Sequence, residues 1–135
     1  MQKQTIVIPM APVSKGRPRL TTRGGFARAY TPKRTREAEE KIREALKEQW
    51  HHEPLECPVA LEMMFYMPIP KSTPKKQYSA VLGAWHVKKP DIDNCIKLVS
   101  DAANGILWGD DSQVCSILAM KKMDKDPRIE ITISW

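Results

Sequence analysis

Asp91 and Asp93 stand one residue apart in Lys89-Pro90-Asp91-Ile92-Asp93-Asn94, and Asp111 closes Trp108-Gly109-Asp110-Asp111 about twenty residues further on. Carboxylates are hard oxygen ligands, and Mg²⁺ takes a few of them together with water and substrate phosphate. In a chain that is otherwise basic, this combination points to a nuclease.

The element that must position these groups is a helix beginning at Asp93. At about 100° per residue, Cys95, Ile96, Leu98, Val99, Ala102 and Ala103 fall on one side of it, and Asp93, Asn94, Lys97, Ser100 and Asp101 on the other. A polar stripe therefore runs Asp93, Lys97, Asp101. Two helix caps and an i,i+4 ion pair on a wet face would explain this stripe without any chemistry. Asp111 changes the balance. A helix from Asp93 to Asn104 is about 18 Å long, and residues 105 to 111 can return ~20 Å if extended. Asp111 can thus come back beside Asp91 and Asp93. Three converging carboxylates repel unless a cation compensates, so convergence makes sense mainly as a metal site. Asp110-Asp111 also suits a simple turn before a strand.

Charge is distributed unevenly. Residues 1 to 36 hold nine Lys or Arg and no acid, whereas the other 99 residues hold 13 basic and 16 acidic side chains. A basic arm on an acid-bearing body suits a protein that grips phosphates with one part and holds a cation with another, although a charge run also serves solubility alone. With 135 residues the chain is expected to form one domain over residues 1–135. Cys57, Cys95 and Cys115 are odd in number and share no CxxC spacing with each other or with His51, His52 and His86, which argues against zinc and against a disulfide framework. No apolar h-region opens the sequence and no run approaches a membrane span. A soluble protein of the cytoplasm, away from membranes, is expected.

Thr5 to Pro9 predicts a strand, and Ala11 to Tyr30 a basic loop or hairpin. Thr31 is placed to cap a helix with Pro32 in its first turn and a stripe of Ala38, Ile42, Ala45, Leu46 and Gln49 or Trp50, with Glu37–Lys41 and Glu39–Arg43 as i,i+4 pairs. Val59 to Met67 reads as a core strand in which Met63, Met64 and Met67 pack. Residues 68 to 90 form a long surface excursion with one short helix near Pro74 to Leu82, and Trp85-His86 is more readily a packing pair than a substrate contact. Asn104-Gly105 suits a left-handed helix end. Gln113 to Met123 and Arg128 to Trp135 alternate around Asp126-Pro127 as a terminal hairpin. The expected fold class is α+β, a small mixed β-sheet with two main helices and a C-terminal β-hairpin.

The ordered set Lys15-Gly16-Arg17-Pro18-Arg19, Tyr30-Thr31-Pro32, Lys89 to Asn94 with Lys97 and Asp101, and Trp108 to Val114 resembles the RusA family of Holliday junction resolvases, dimeric endonucleases of bacteria and phages. The resemblance implies a RusA-like fold and an enzyme that resolves four-way DNA junctions by paired nicking in recombination and repair. It implies Asp91, Asp93 and Asp111 as catalytic metal ligands and Lys97 as the basic partner, with Asp101 and Asp110 assisting. The adjacent acids Asp110 and Asp111 both fit the third position, of which Asp111 is taken. Mg²⁺ is the expected cofactor, with Mn²⁺ as a substitute. Branched DNA is the expected partner, held by phosphate contacts from Lys15, Arg17, Arg19, Arg28, Lys33 and Arg34, with a second copy of the chain completing a homodimer. Residues 68 to 88 carry no matching motif. The rival readings are a non-catalytic basic DNA-binding module and an interaction protein whose arm meets an acidic partner.

Overall fold

Alternating apolar residues build the sheet. Ile129, Ile131 and Ile133 are fully buried along the last strand, and Val59, Leu61, Met63, Phe65 and Met67 do the same on a ten-residue strand earlier in the chain. The computed structural model describes the chain apart from Arg17, Pro18, Arg23, Phe26 and Thr31 and the side chains of Arg19, Arg28 and Tyr30. In order, the elements are β1 (Lys3–Ile8), β2 (Arg19–Thr21), β3 (Arg28–Tyr30), α1 (Lys33–Gln49), β4 (Val59–Pro68), α2 (Tyr78–Val81), α3 (Ile92–Ala103), β5 (Val114–Asp124) and β6 (Arg128–Ser134). The α+β class with a small mixed sheet and two main helices is therefore observed.

The four-stranded sheet has the order β1-β6-β4-β5, with β4 and β5 parallel and the other pairs antiparallel. Both terminal strands form, joined by residues 125–127, but the expected hairpin between them is corrected, because β4 lies between them and pairs with each. Strand alternation specifies which face of a strand is buried, not which neighbour it pairs with. A parallel β4–β5 pair also needs a long crossover. That crossover is residues 69–113, and it carries α3.

One face of the sheet is covered by helices. Thr35, Ala38, Ile42 and Leu46 of α1 and Cys95, Leu98, Val99, Ala102 and Ala103 of α3 are buried with Ile6, Ile8 and the inward residues of β4 and β6. Met63 and Met67 pack in this core as expected. Side chains at alternate positions, among them Tyr66, Leu118 and Lys122, occupy the opposite face, against which neither α1 nor α3 packs among the described residues.

Local details differ from the sequence expectation. Helix α1 starts at Lys33 with Pro32 as its cap residue, and Thr31 lies outside the described residues. The pairs Glu37–Lys41 and Glu39–Arg43 do not form among the described residues. Arg43 instead donates to the carbonyls of Ala102 and Asn104 at 2.9 and 3.3 Å, tying α1 to the C-terminal end of α3, and Glu37 faces Lys33 at 3.8 Å. Two carbonyls that the end of α3 leaves free are better partners for a guanidinium than one exposed carboxylate. Gly105 has φ +83°, the left-handed conformation expected after Asn104.

Candidate active site

Asp91 is the cap residue of α3 and Asp93 lies in its first turn, both exposed. The carboxylate of Asp91 makes no capping hydrogen bond to the helix. That matters, because capping was the simplest non-chemical reason for an acid at this position. On the polar side of α3, Lys97 Nζ lies 3.6 Å from Asp101 Oδ1, so the i,i+4 pair of the sequence reading is present. Asp101 also accepts from the ammonium of Lys15. Lys15 is expected from sequence to grip DNA phosphate, yet it is three-quarters buried against Asp101, and its backbone N–H donates to the carbonyl of Asn94. It fastens the N-terminal segment to α3.

The third acid arrives on the turn before β5. Leu55 holds this turn by accepting from Gly109 N–H and donating to the carbonyl of Leu107, and Gln113 donates to the carbonyls of Leu55 and Cys57. Gly109 leaves room for the Glu56 side chain, since a Cβ there would lie 2.7 Å from a carboxylate oxygen of Glu56 and push that exposed side chain aside. The adjacent acids then diverge. Asp110 accepts from the N–H and hydroxyl of Ser112, while Gln113 Oε1 accepts from the Asp110 N–H, forming a capping box. These hydrogen bonds hold the Asp110 carboxyl below the usual carboxylate range. Asp111 is held differently: its Oδ1 accepts from the indole Nε1–H of fully buried Trp108 at 2.8 Å.

Asp93 and Asp111 line one hollow of about 320 Å³ between α3 and β5, with Ile96, Lys97, Ser100, Asp101, Val114 and Ile117. Asp91 opens instead onto a larger neighbouring hollow of about 660 Å³ that includes Ser14, Gly16, Arg34, Lys89 and Asn94. Among the described residues no three His, Cys, Asp or Glu side chains are grouped to hold a metal ion, so the expected three-carboxylate cage is not formed. Of the three carboxylates on the smaller hollow, Asp101 is paired with Lys15 and Lys97; Asp93 and Asp111, with Asp91 two residues away from Asp93, still suit Mg²⁺, which commonly binds through one or two carboxylates and completes its octahedron with water and substrate phosphate.

The remaining expected DNA contacts are distributed as follows. Arg34 lines the hollow of Asp91. Lys33 is exposed on α1. Arg19 and Arg28 lie in the small β2–β3 pair, with their side chains outside the described residues, as is Arg17 altogether. Sequence reasoning missed Trp108 as the partner of Asp111 and Lys121 as a clamp, whose ammonium donates to the carbonyls of Lys88 and Pro90 just ahead of Asp91. Neither had a local signal, because each partner comes from a different part of the fold or is hidden in an apolar turn. Cys95 is buried behind this segment. Desolvation, aided by Asp91 and Asp93 against the opposing Lys121, pushes its thiol up to about 11.

Comparison with known families decides the class. The model of Endodeoxyribonuclease RusA matches residues 9–134. The chain belongs to the RusA endodeoxyribonuclease family. It is also similar to the uncharacterized protein YqaN of Bacillus subtilis (strain 168), 32% identical over 126 residues that cover 90% of this chain and 89% of that protein. Family membership implies Holliday junction resolvase activity, and nuclease, recombination and repair are the processes it places the chain in. The described helices include none long and apolar enough to cross a membrane.

Proposed function

We propose that this chain is a Mg²⁺-dependent endonuclease, one domain over residues 1–135, that resolves four-way DNA junctions as a homodimer by paired nicking. The observation that carries the reading is the shared hollow of Asp93, Asp111 and Lys97 in a RusA-family chain. Mn²⁺ is expected to substitute for Mg²⁺, and the three free thiols suit a reducing bacterial cytoplasm.

Asp93 and Asp111 would hold the ion, with Asp91 as the nearest further carboxylate on the same helix end. An ion bound there would supply positive charge to the scissile phosphate and lower the pKa of a bound water. The chain's own groups do the rest. Trp108 keeps Asp111 oriented through one oxygen and leaves the other for a ligand. Lys97, two-thirds exposed at the rim, is placed to neutralise charge that builds on the phosphate during cleavage. Arg34 and Lys89 flank the hollow of Asp91, where they would hold the backbone of the entering strand. Asp110 is occupied by its capping box, so Asp111 is the acid of the pair that serves the site.

A cleavage assay on a synthetic four-way junction beside a matched linear duplex, with and without Mg²⁺, tests the reading. Symmetrical Mg²⁺-dependent nicks in the junction alone are expected, and are expected to vanish with Asp93→Asn while junction binding stays. Tight binding without any cleavage by the unaltered chain would instead identify a non-catalytic DNA-binding module.

A further inference from the structure

The excursion between β4 and α3 meets the site described above only at its end, where Lys89 borders the hollow of Asp91, yet its charge is one-sided throughout. Residues 63 to 90 contain Lys71, Lys75, Lys76, Lys88 and Lys89 and no acidic residue. All five lysines are exposed, and none pairs with a carboxylate among the described residues. In their midst Trp85 is 59% exposed, and Val87 after it is 86% exposed. Trp85 and Val87 together make an exposed apolar surface rimmed by cations, the kind of patch that marks a contact site.

Trp85 is held in place rather than trailing on a loop. The N–H of Gly83 donates to the carbonyl of Met123 at 2.7 Å, that of Met123 to Ala84 at 2.9 Å, and that of His86 to Lys121 at 3.1 Å. Residues 83 to 86 therefore extend the sheet beyond β5, with Trp85 opposite Lys122. Lys122 Nζ sits 4.7 Å from the centre of the Trp85 ring. Because Ala119 and Met123 of β5 face the core and Lys122 alternates with them, the Trp85 ring stands on the face of the sheet away from α1 and α3. The chain then passes round the edge of β5 through Val87, Lys88 and Lys89, clamped by Lys121, and reaches Asp91 on the helix side. Asp91 follows Trp85 by six positions, a path of at most ~20 Å.

An exposed indole beside an ammonium group, on backbone bridged to β5, at the end of a cationic path is the arrangement that stacks on an unpaired base while lysines hold its backbone. We propose that Trp85, with Lys122, Lys88 and Lys89, is a stacking site for an unpaired nucleotide of single-stranded DNA led round the edge of β5 from the cleavage hollow. This rests on the reading of the chain as a DNA nuclease.

The probe is oligothymidylate, added without metal to the full chain while tryptophan emission is followed, with Trp85→Phe and Trp85→Ala as controls. The expected result is quenching that Trp85→Phe largely removes, and an affinity for oligothymidylate that falls about tenfold with Trp85→Ala, while the melting temperature is unchanged. Junction cleavage with an unquenched Trp85, or an affinity indifferent to Trp85→Ala, would overturn the stacking site and leave the nuclease reading intact. Trp85 emission that changes with protein concentration rather than with DNA would also overturn it, since a second copy would then cover the ring. Loss of binding to every DNA by the unaltered chain would instead sink the nuclease reading itself.

Discussion

The buried indole of Trp108 donates to Oδ1 of Asp111 across 2.8 Å, joining a residue with no exposed surface to an acid at the mouth of a hollow. Such a donor fixes the carboxylate's orientation before any ligand arrives. Trp108→Phe keeps most of the apolar volume and removes the donor. Cleavage is expected to fall about tenfold or more, with a higher Mg²⁺ requirement. Mg²⁺ titrations of the cleavage rate check this, and an unchanged requirement would show that Asp111 needs no such support.

The neighbouring acids should separate cleanly. Asp111→Asn is expected to abolish Mg²⁺-dependent cleavage, whereas Asp110→Asn, which keeps an oxygen for Ser112, should change the rate only a few-fold. Single-turnover kinetics of the two variants decide the register, and the opposite ranking would move the metal ligand to Asp110.

Asp101 answers both Lys15 and Lys97. Replacing it with Asn leaves Lys15 three-quarters buried without a charge partner, which should destabilise the fold by about 1–3 kcal/mol in denaturant titrations. Lys15→Met at the same place should cost less stability, because no unpaired ammonium remains. If Lys15 were instead a phosphate contact, Lys15→Met would lower the salt dependence of junction binding while leaving stability alone.

Arg34 is expected to contribute to phosphate binding from the hollow of Asp91. Arg34→Ala should reduce the slope of log affinity against log salt by about one, for junction and duplex alike. Binding isotherms over a range of salt measure that slope directly.

The Cys95 thiol is raised to about 11 by burial, so the fold favours its protonated form relative to the unfolded chain, where the ordinary value is 9.0. The stability this contributes is complete below about pH 9 and is lost as pH rises through about 11. At pH 8 a thiol reagent should therefore modify exposed Cys115 first and leave Cys95 untouched until the protein unfolds. Mass spectrometry of a labelling time course checks the order, and early modification of Cys95 would mean that α3 opens readily.

Much of this molecule was legible in its residue order. The 3.6-residue periodicity of 93–103 put the acids on one side of α3 and the core on the other, and the alternation at Ile129, Ile131 and Ile133 marked a buried strand, because both patterns are local and follow from backbone geometry. The run of cations before residue 37 and the crowding of acids near residues 91 and 111 were equally plain. What the chain's own order could not disclose were relations between segments brought together only by folding. The insertion of β4 between β5 and β6, the commitment of Lys15 to Asp101 across 86 positions of sequence, and the clamp of Lys121 on the carbonyls ahead of Asp91 all depend on which surfaces meet. Hydrophobic period says which way a side chain points, while partnership depends on the packing of the whole sheet against its helices, and only the tertiary structure decides that.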